Sequence, residues 1–395
     1  MAMALQIATF AHQWWYASSK PAQTSQNPLR MGILSTAMIN SAAVIRPAQT
    51  HGDVLITAVA SRDLAQAKQY AKKYGIPSAY GSYGELLQQP DIDFVYISLP
   101  NGLHAEWAMK ALEAGKHVLL EKPFADNEIE AERVVALAER TGLVLMEAFH
   151  WQCHPAAHAF RDIVNRPKHG RILRTYARMT SPVGSIPESD IRWRFDLGGG
   201  SLMDMTYVVS ATRFILDAGA ASSVAAAKAR PFPKDPRVDE AIEATLVFRH
   251  GSAEGKEGEY DVTSEIYSDM KRANVGFVIP RVWELPSIEV ETANAKIYFY
   301  NFMMPHLYHY IAVTDKETGE TTYHKAYKRS SSTGEHGDAS WSTYRWQLEL
   351  FVDRLRGREP AHWVTNKSSV DQMKTIDMVY EKAGLPLRPT TSYGA

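Results

Sequence analysis

The chain has 395 residues, enough for two or three domains, with 45% hydrophobic and 22% charged side chains, ordinary values for a soluble globular protein. Its net charge of -1 leaves no global basic field to recruit nucleic acid. A single cysteine, Cys153, excludes an internal disulfide framework and fits a reducing compartment; with no apolar run of about 18 residues, a cytoplasmic protein without a membrane span is expected.

Met1 to Tyr16 is apolar but broken by Gln6, His12 and Gln13, and it lacks a positively charged start. It reads as an amphipathic helix whose Trp14, Trp15 and Tyr16 pack on the body, rather than as a secretory signal. A polar linker from Ser18 to Asn27 completes a first segment, residues 1–28. Strand and helix patterns then alternate. Strands are expected at Met31–Leu34, Val54–Ala60, Asp93–Leu99, Val118–Leu120 and Leu143–Met146. Helices are expected at Asp63–Tyr74, Leu103–Ala114 and Asn127–Thr141, the first capped by Asp63 and closed by Gly75. Strands alternating with helices of this length imply βαβ units and a parallel sheet, so residues 29–150 read as a Rossmann-type dinucleotide-binding domain.

The pattern changes over residues 151–395. A helix follows Pro155, then longer alternating strands are expected at Ile172–Met179, Glu243–Phe248, Glu259–Glu265, Ser287–Tyr300 and Leu307–Val313. This reads as an α/β substrate domain with a large, open, mostly antiparallel sheet. Ser330–Ala339 reads as a mobile loop. Two amphipathic helices, Trp341–Gly357 and Ser368–Ala383, close the chain, and residues 341–383 are expected to pack back on the first domain.

A dinucleotide fingerprint would put Gly-x-Gly-x-x-Gly after the first strand. Here Ser35, Thr36, Ala37, Met38, Ile39 and Asn40 stand there, with all three glycines replaced. Small residues at the first two positions still admit a pyrophosphate; Asn40 is the departure. At the end of the second strand, Ser61-Arg62 stands where an NAD site would carry a carboxylate, and an arginine suits a 2′-phosphate through charge-assisted hydrogen bonds. NADP is therefore expected over NAD. After the apolar run His117–Leu120 comes Glu121-Lys122-Pro123, a lysine and a carboxylate delivered to the carboxyl end of a buried strand, where open α/β sheets bind ligands. Such a lysine can hold a ligand hydroxyl and manage its proton. Cys153 between His150 and His154 has no second ligand pair at metal-site spacing, so no metal is expected.

Ordered segments carry a family resemblance: Gly32–Ala37, Ala60–Asp63, Leu99–His104, Ala114–Pro123, Met146–His150 and Gly198–Asp204. Together they resemble the Gfo/Idh/MocA oxidoreductases (glucose-fructose oxidoreductase, inositol dehydrogenase, rhizopine catabolism). Within it the chain is similar to the dimeric dihydrodiol dehydrogenase and NADP-dependent D-xylose dehydrogenase branch, in fungal versions of which a helix also precedes the first strand. The resemblance implies hydride transfer between nicotinamide and a carbinol or carbonyl of a sugar, trans-dihydrodiol or related small substrate, and a homodimer through the open sheet. It implies that Leu99, Pro100, Asn101, His104, Glu121, Glu147, Trp193 and Arg194 border the cofactor. It implies that Lys122 works at the substrate hydroxyl with Tyr207 and Asp204, and that His150, Trp151 and Gln152 wall the substrate pocket. His104 also fits a plain helix start, and Trp193 a core position. Two positions depart from the family pattern. The tyrosine follows Asp204 by three residues instead of four, so on a continuous helix its hydroxyl would arrive roughly 100° from the usual direction. Tyr207 is then either the proton donor or a core tyrosine with Lys122 itself managing the proton. Gln152 stands where the branch carries arginine, which points to a less polar substrate. A non-redox biosynthetic enzyme and a cofactor-sensing regulator are the rival readings; the catalytic-type lysine argues against the second.

Overall fold

The computed structural model describes residues 22–251, 259–276, 278–331 and 334–394. The helix expected over residues 1–16 lies outside them. Six strands form the first sheet: β1 (Leu29–Leu34), β2 (Val54–Ala60), β3 (Ser78–Tyr80), β4 (Phe94–Ile97), β5 (His117–Leu120) and β6 (Leu145–Glu147). They lie in the order β3-β2-β1-β4-β5-β6, every pair parallel. Helices flank both faces, so the central strands have no polar side: every residue of β4 is 0% exposed. The chain order reverses between β1 and β4, the crevice where such sheets bind ligands. Asp63 caps the helix Leu64–Tyr74 by accepting from the amides of Ala65 and Gln66, and Gly75 ends it at φ 68°.

The second sheet has eight strands: β7 (Ile172–Pro182), β8 (Ser223–Phe232), β9 (Asp235–His250), β10 (Tyr260–Arg272), β11 (Ser287–Thr292), β12 (Ala295–Tyr300), β13 (Tyr310–Asp315) and β14 (Thr321–His324). Their order is β14-β13-β12-β11-β7-β10-β9-β8, and only β7 and β10 pair in parallel. Alternation selects one face. Along β10, Val262, Ser264, Ile266, Ser268 and Met270 are buried, while Asp261, Thr263 and Glu265 point away. The expected single strand Ser287–Tyr300 is two, turned at Ala293-Asn294, where the Ala295 amide donates to Thr292 Oγ1 at 3.0 Å. β8 went unread because its Ala-rich sequence lacks the β-branched residues that mark strands; pairing with β9 imposes its conformation. The loop expected at 330–339 contains part of a short antiparallel pair, Arg329–Ser331 with Gly334–His336.

The C-terminal helix Asn366–Lys382 and the tail after it pack against the helix Glu128–Thr141 of the first sheet. The Glu128 amide donates to Asp377 Oδ2 at 2.7 Å, the Thr391 amide to Glu130 Oε1 at 2.6 Å, and Asn127 Nδ2 to the Arg388 carbonyl at 3.1 Å. Arg388 also enters a buried ion pair with Asp239 of β9 at 2.7 Å, both side chains 0% exposed. Asp239 accepts from Ser201 Oγ, the Leu202 amide and Tyr380 Oη, while Arg388 Nε donates to the Gly199 carbonyl at 2.8 Å. Gly198 (φ 71°) and Gly200 (φ 138°) sit in this knot, and a side chain on Gly199 would meet the Arg192 carbonyl at 2.5 Å.

Removing one member of such a pair strands a buried charge. Arg388→Met should cost about 3–5 kcal/mol of unfolding free energy, read as a lowered urea midpoint, and adding Asp239→Asn should recover part of the loss.

Candidate active site

The turn after β1 replaces the missing glycines with a web of side chains. Ser35 takes φ 136°, a conformation that favours glycine. Its hydroxyl lies 2.8 Å from Ser98 Oγ and accepts from the Ala37 amide at 3.1 Å. Asn40 closes the ring, donating to the Ser35 carbonyl at 3.0 Å and accepting from Ser98 Oγ at 2.6 Å. Asn40 therefore fills the position of the third glycine as the tie between β1 and β4. A π-helical turn, Ser41–Ile45, follows. Ser35, Thr36, Ala37, Ser61, Arg62, Ser98, Leu99 and Pro100 line one cleft of about 570 Å³ at the switch point, joined by Gln66, Tyr83 and Ile191. Met38 (95% exposed) and Ile39 project to solvent and do not line it. Arg62 is exposed on its rim, so an anion there meets an available guanidinium.

Other expected cofactor residues have structural occupations. Both ring nitrogens of buried His104 face carbonyls, of Pro123 at 2.7 Å and Leu99 at 2.8 Å; burial lowers it to about 4, so the neutral ring donates to one of them and sits between the ends of β4 and β5. Asn101 Nδ2 donates to the Gly198 carbonyl at 3.0 Å. Trp193 is a core residue: it stacks on Phe232 with ring centroids 4.6 Å apart, and its indole donates to the Pro187 carbonyl at 3.0 Å. Arg194 is exposed and engaged with Asp196.

Lys122 stands at the carboxyl end of β5 and is largely covered, with 15% of its side chain exposed. Its ammonium donates to the Asp204 carbonyl at 2.7 Å, lies 3.4 Å from Asp204 Oδ1, and sits 5.1 Å from the Tyr207 ring centroid. Arg192, which the sequence reading passed over in favour of its neighbours, reaches Asp204 Oδ1 at 3.1 Å. Burial pushes the Asp204 carboxyl up, but Lys122 and Arg192 outweigh it and hold it below the usual carboxylate range. The segment from Ser201 to Leu216 is not one continuous helix. The first helix ends at Asp204, Met205 and Thr206 turn, and a second helix begins at Tyr207. Gln372 of the C-terminal helix holds the break, its Nε2 donating to the Thr206 carbonyl at 3.0 Å and hydroxyl at 2.8 Å. The break aims Tyr207 beneath Lys122.

Under the lysine lies a buried, mostly uncharged layer. Glu121 accepts from Tyr96 Oη at 2.6 Å and from the Lys122 amide at 3.2 Å; burial raises its carboxyl. Glu147 accepts from Ser369 Oγ at 2.6 Å, and burial raises it to about 8, so it is protonated at neutral pH. His150 Nε2 lies 3.0 Å from Tyr207 Oη, and its ring stacks on Tyr344 with centroids 3.9 Å apart. The other two expected pocket residues point elsewhere. Trp151 is 0% exposed, packed on Phe214 and Phe302. Gln152 donates to Ser210 Oγ at 2.9 Å and faces a separate cavity of about 300 Å³ with Arg161 and His362. Tyr96, Tyr344, Thr343 and Ser369 had no signal in the sequence, because three of the four come from C-terminal helices far away in the chain. Among the described residues no group of three or more His, Cys, Asp or Glu is arranged to hold a metal ion, and no helix is long and apolar enough to cross a membrane.

Residues 29–149 match the family model described as "Oxidoreductase family, NAD-binding Rossmann fold". A D-xylose 1-dehydrogenase (NADP(+)) from Haloferax volcanii is 32% identical over 358 residues, spanning 90% of this chain and 97% of the relative. The chain belongs to the Gfo/Idh/MocA oxidoreductase family. A trans-1,2-dihydrobenzene-1,2-diol dehydrogenase from Xenopus laevis is 33% identical over 55% of this chain and 65% of the relative. The structure of the 3-ketoreductase KijD10 from Actinomadura kijaniata, in complex with NADP and TDP-benzene, superposes with a TM-score of 0.72 at 26% identity, covering 90% of this chain and 98% of that one. The Gfo/Idh/MocA fold thus accounts for both sheets and the cleft between β1 and β4.

Glu147 gives a pH signature. Its folded value of about 8 exceeds its ordinary 4.5, so its contribution to stability is complete below about pH 4.5 and is lost as pH rises through 8. Glu147→Gln removes that loss. The melting-temperature difference between Glu147→Gln and the parent should move in the variant's favour by on the order of a few degrees between pH 5 and pH 8.5, measured by calorimetry.

Proposed function

We propose that this oxidoreductase interconverts a carbinol and a carbonyl on a sugar or related small polyhydroxylated substrate, with NADP as its cofactor. The observation that carries the reading is Lys122 held between Asp204 and the Tyr207 ring at the end of β5, the strand next to β4, whose following residues Ser98, Leu99 and Pro100 line the switch-point cleft. When bound, NADP supplies or accepts the hydride at nicotinamide C4. Ser35, Thr36, Ala37 and the Ser61-Arg62 pair hold its phosphates, with Arg62 on the 2′-phosphate. Asp204 anchors Lys122 so that its ammonium faces the substrate oxygen and stabilises the negative charge that develops there. Tyr207 gives or takes the proton at the same oxygen. NADP in the names of the Haloferax volcanii dehydrogenase and the KijD10 complex supports the cofactor choice, and the D-xylose in the first supports the substrate class.

We also propose that the outer face of the second sheet pairs with a second copy of the chain. It carries Tyr298, Tyr300, Tyr310 and Tyr323, the last 69% exposed, with Val282 (69% exposed) and Trp283 (49% exposed) beside them. An apolar patch of this kind marks an interaction surface.

Lys122→Ala should lower turnover at least about 100-fold while NADP still binds, measured by NADPH absorbance against a panel of aldoses and trans-dihydrodiols and by calorimetric titration. Retained activity would remove Lys122 from the chemistry. Arg62→Ala should weaken NADP by about 10- to 100-fold and leave NAD little changed. Light scattering should give the mass of a dimer, and Trp283→Lys should shift it toward the monomer.

A further inference from the structure

Tyr207 has one hydrogen-bonding neighbour among the described residues, His150, and His150 has one more, Thr343. The distances are 3.0 Å from Tyr207 Oη to His150 Nε2 and 2.8 Å from His150 Nδ1 to Thr343 Oγ1. His150 and Thr343 are at most 1% exposed, and Tyr207 is 4% exposed. The ring of His150 is packed on Tyr344, with ring centroids 3.9 Å apart. Burial, with His306 and Lys122 adding to it, keeps His150 well below its ordinary value, so it is neutral and carries one N–H and one bare nitrogen.

Which nitrogen carries the hydrogen follows from satisfying Thr343. The Thr343 hydroxyl has no other hydrogen-bond acceptor among the described residues. Each tautomer leaves one hydroxyl hydrogen without an acceptor among the described residues: that of Thr343, which is 0% exposed, or that of Tyr207, which is 4% exposed and, as the proton carrier, meets the substrate oxygen. Thr343 therefore donates to Nδ1. The hydrogen of His150 is then on Nε2, and Tyr207 Oη accepts it. The Tyr207 O–H cannot point at His150 and turns outward, to the Lys122 side.

We infer that the Thr343–His150 chain is a positioning device that fixes Tyr207 as a proton donor toward the substrate oxygen and stabilises the phenolate left behind. The inference rests on the reading of Tyr207 as the proton carrier. In reduction, the Tyr207 O–H bond breaks as an O–H bond forms on the substrate oxygen. The hydride reaching the carbonyl carbon balances the electron pair, and the phenolate regains its proton from solvent. Burial otherwise pushes the Tyr207 phenol well up, reinforced by Tyr344, Glu121, Asp204 and Glu147. The N–H of His150 and the ammonium of Lys122 are the groups that oppose this.

Two measurements test it. In the parent protein, ¹⁵N NMR of the His150 ring should show a protonated Nε2 and a bare Nδ1; the opposite tautomer overturns the inference. Thr343→Val keeps the shape and removes the donor. It should move the acid limb of the oxidation profile upward by about one to two pH units and lower turnover about 10-fold at neutral pH, with NADP affinity unchanged and the melting temperature lowered by about a few degrees. Thr343→Ser should restore the parent profile. An unmoved limb in Thr343→Val overturns the inference if Tyr207→Phe is inactive. If Tyr207→Phe stays active, the Tyr207 reading fails instead.

Discussion

The buried pair of Asp239 and Arg388 is the tie on which the site's geometry hangs. Asp239 lies on β9 of the second sheet, and Arg388 comes from the tail that packs against the helices of the first. Between them they hold the Gly199 carbonyl, the Ser201 hydroxyl and the Leu202 amide, the start of the short helix that ends in Asp204. Asp204 in turn sets Lys122. An ion pair with no solvent exposure is costly to bury, and apolar side chains of similar volume often serve stability as well. Its value here is directional: four hydrogen bonds at Asp239 define one orientation of the helix, which an apolar core would leave freer to shift.

A second constraint concerns the cofactor turn. Glycine fingerprints work by absence of side chains, allowing positive φ and close approach. This chain reaches the positive φ at Ser35 with a serine and stabilises it with hydrogen bonds to Ser98 and Ala37, which Asn40 shares. Residues that look like a degraded motif in the sequence form a self-supporting ring in space. The energetic logic is that local strain persists where surrounding contacts over-determine it.

The site itself is a charged upper layer over a neutral lower one. Lys122, Asp204 and Arg192 form the upper layer, and their mutual attraction outweighs burial at the carboxylate. Below them, Glu147, His150 and Tyr207 are all shifted by burial toward their uncharged forms. Lys122, facing this buried neutral layer, acts over a low effective dielectric, so its influence on a developing alkoxide is larger than in water.

Sequence alone determined five of the six parallel strands, the three longer helices between them and the lysine at the end of β5, because hydrophobic period, caps and strand-end position are local properties of the chain. It also pointed to Arg62, since the residue ending β2 is fixed by the βαβ pattern. It could not decide what Tyr207 does. On a continuous helix that tyrosine points the wrong way; Gln372, more than a hundred residues later, holds the helix break that redirects it. The resemblance put His104 and Trp193 at the cofactor, with a helix start and a core position as the alternatives; tertiary contacts with Leu99, Pro123 and Phe232 engage them. Thr343, His150 and Tyr207 meet only because the C-terminal helices fold back, and a hydrogen-bond chain built from three distant segments leaves no periodic trace in the sequence.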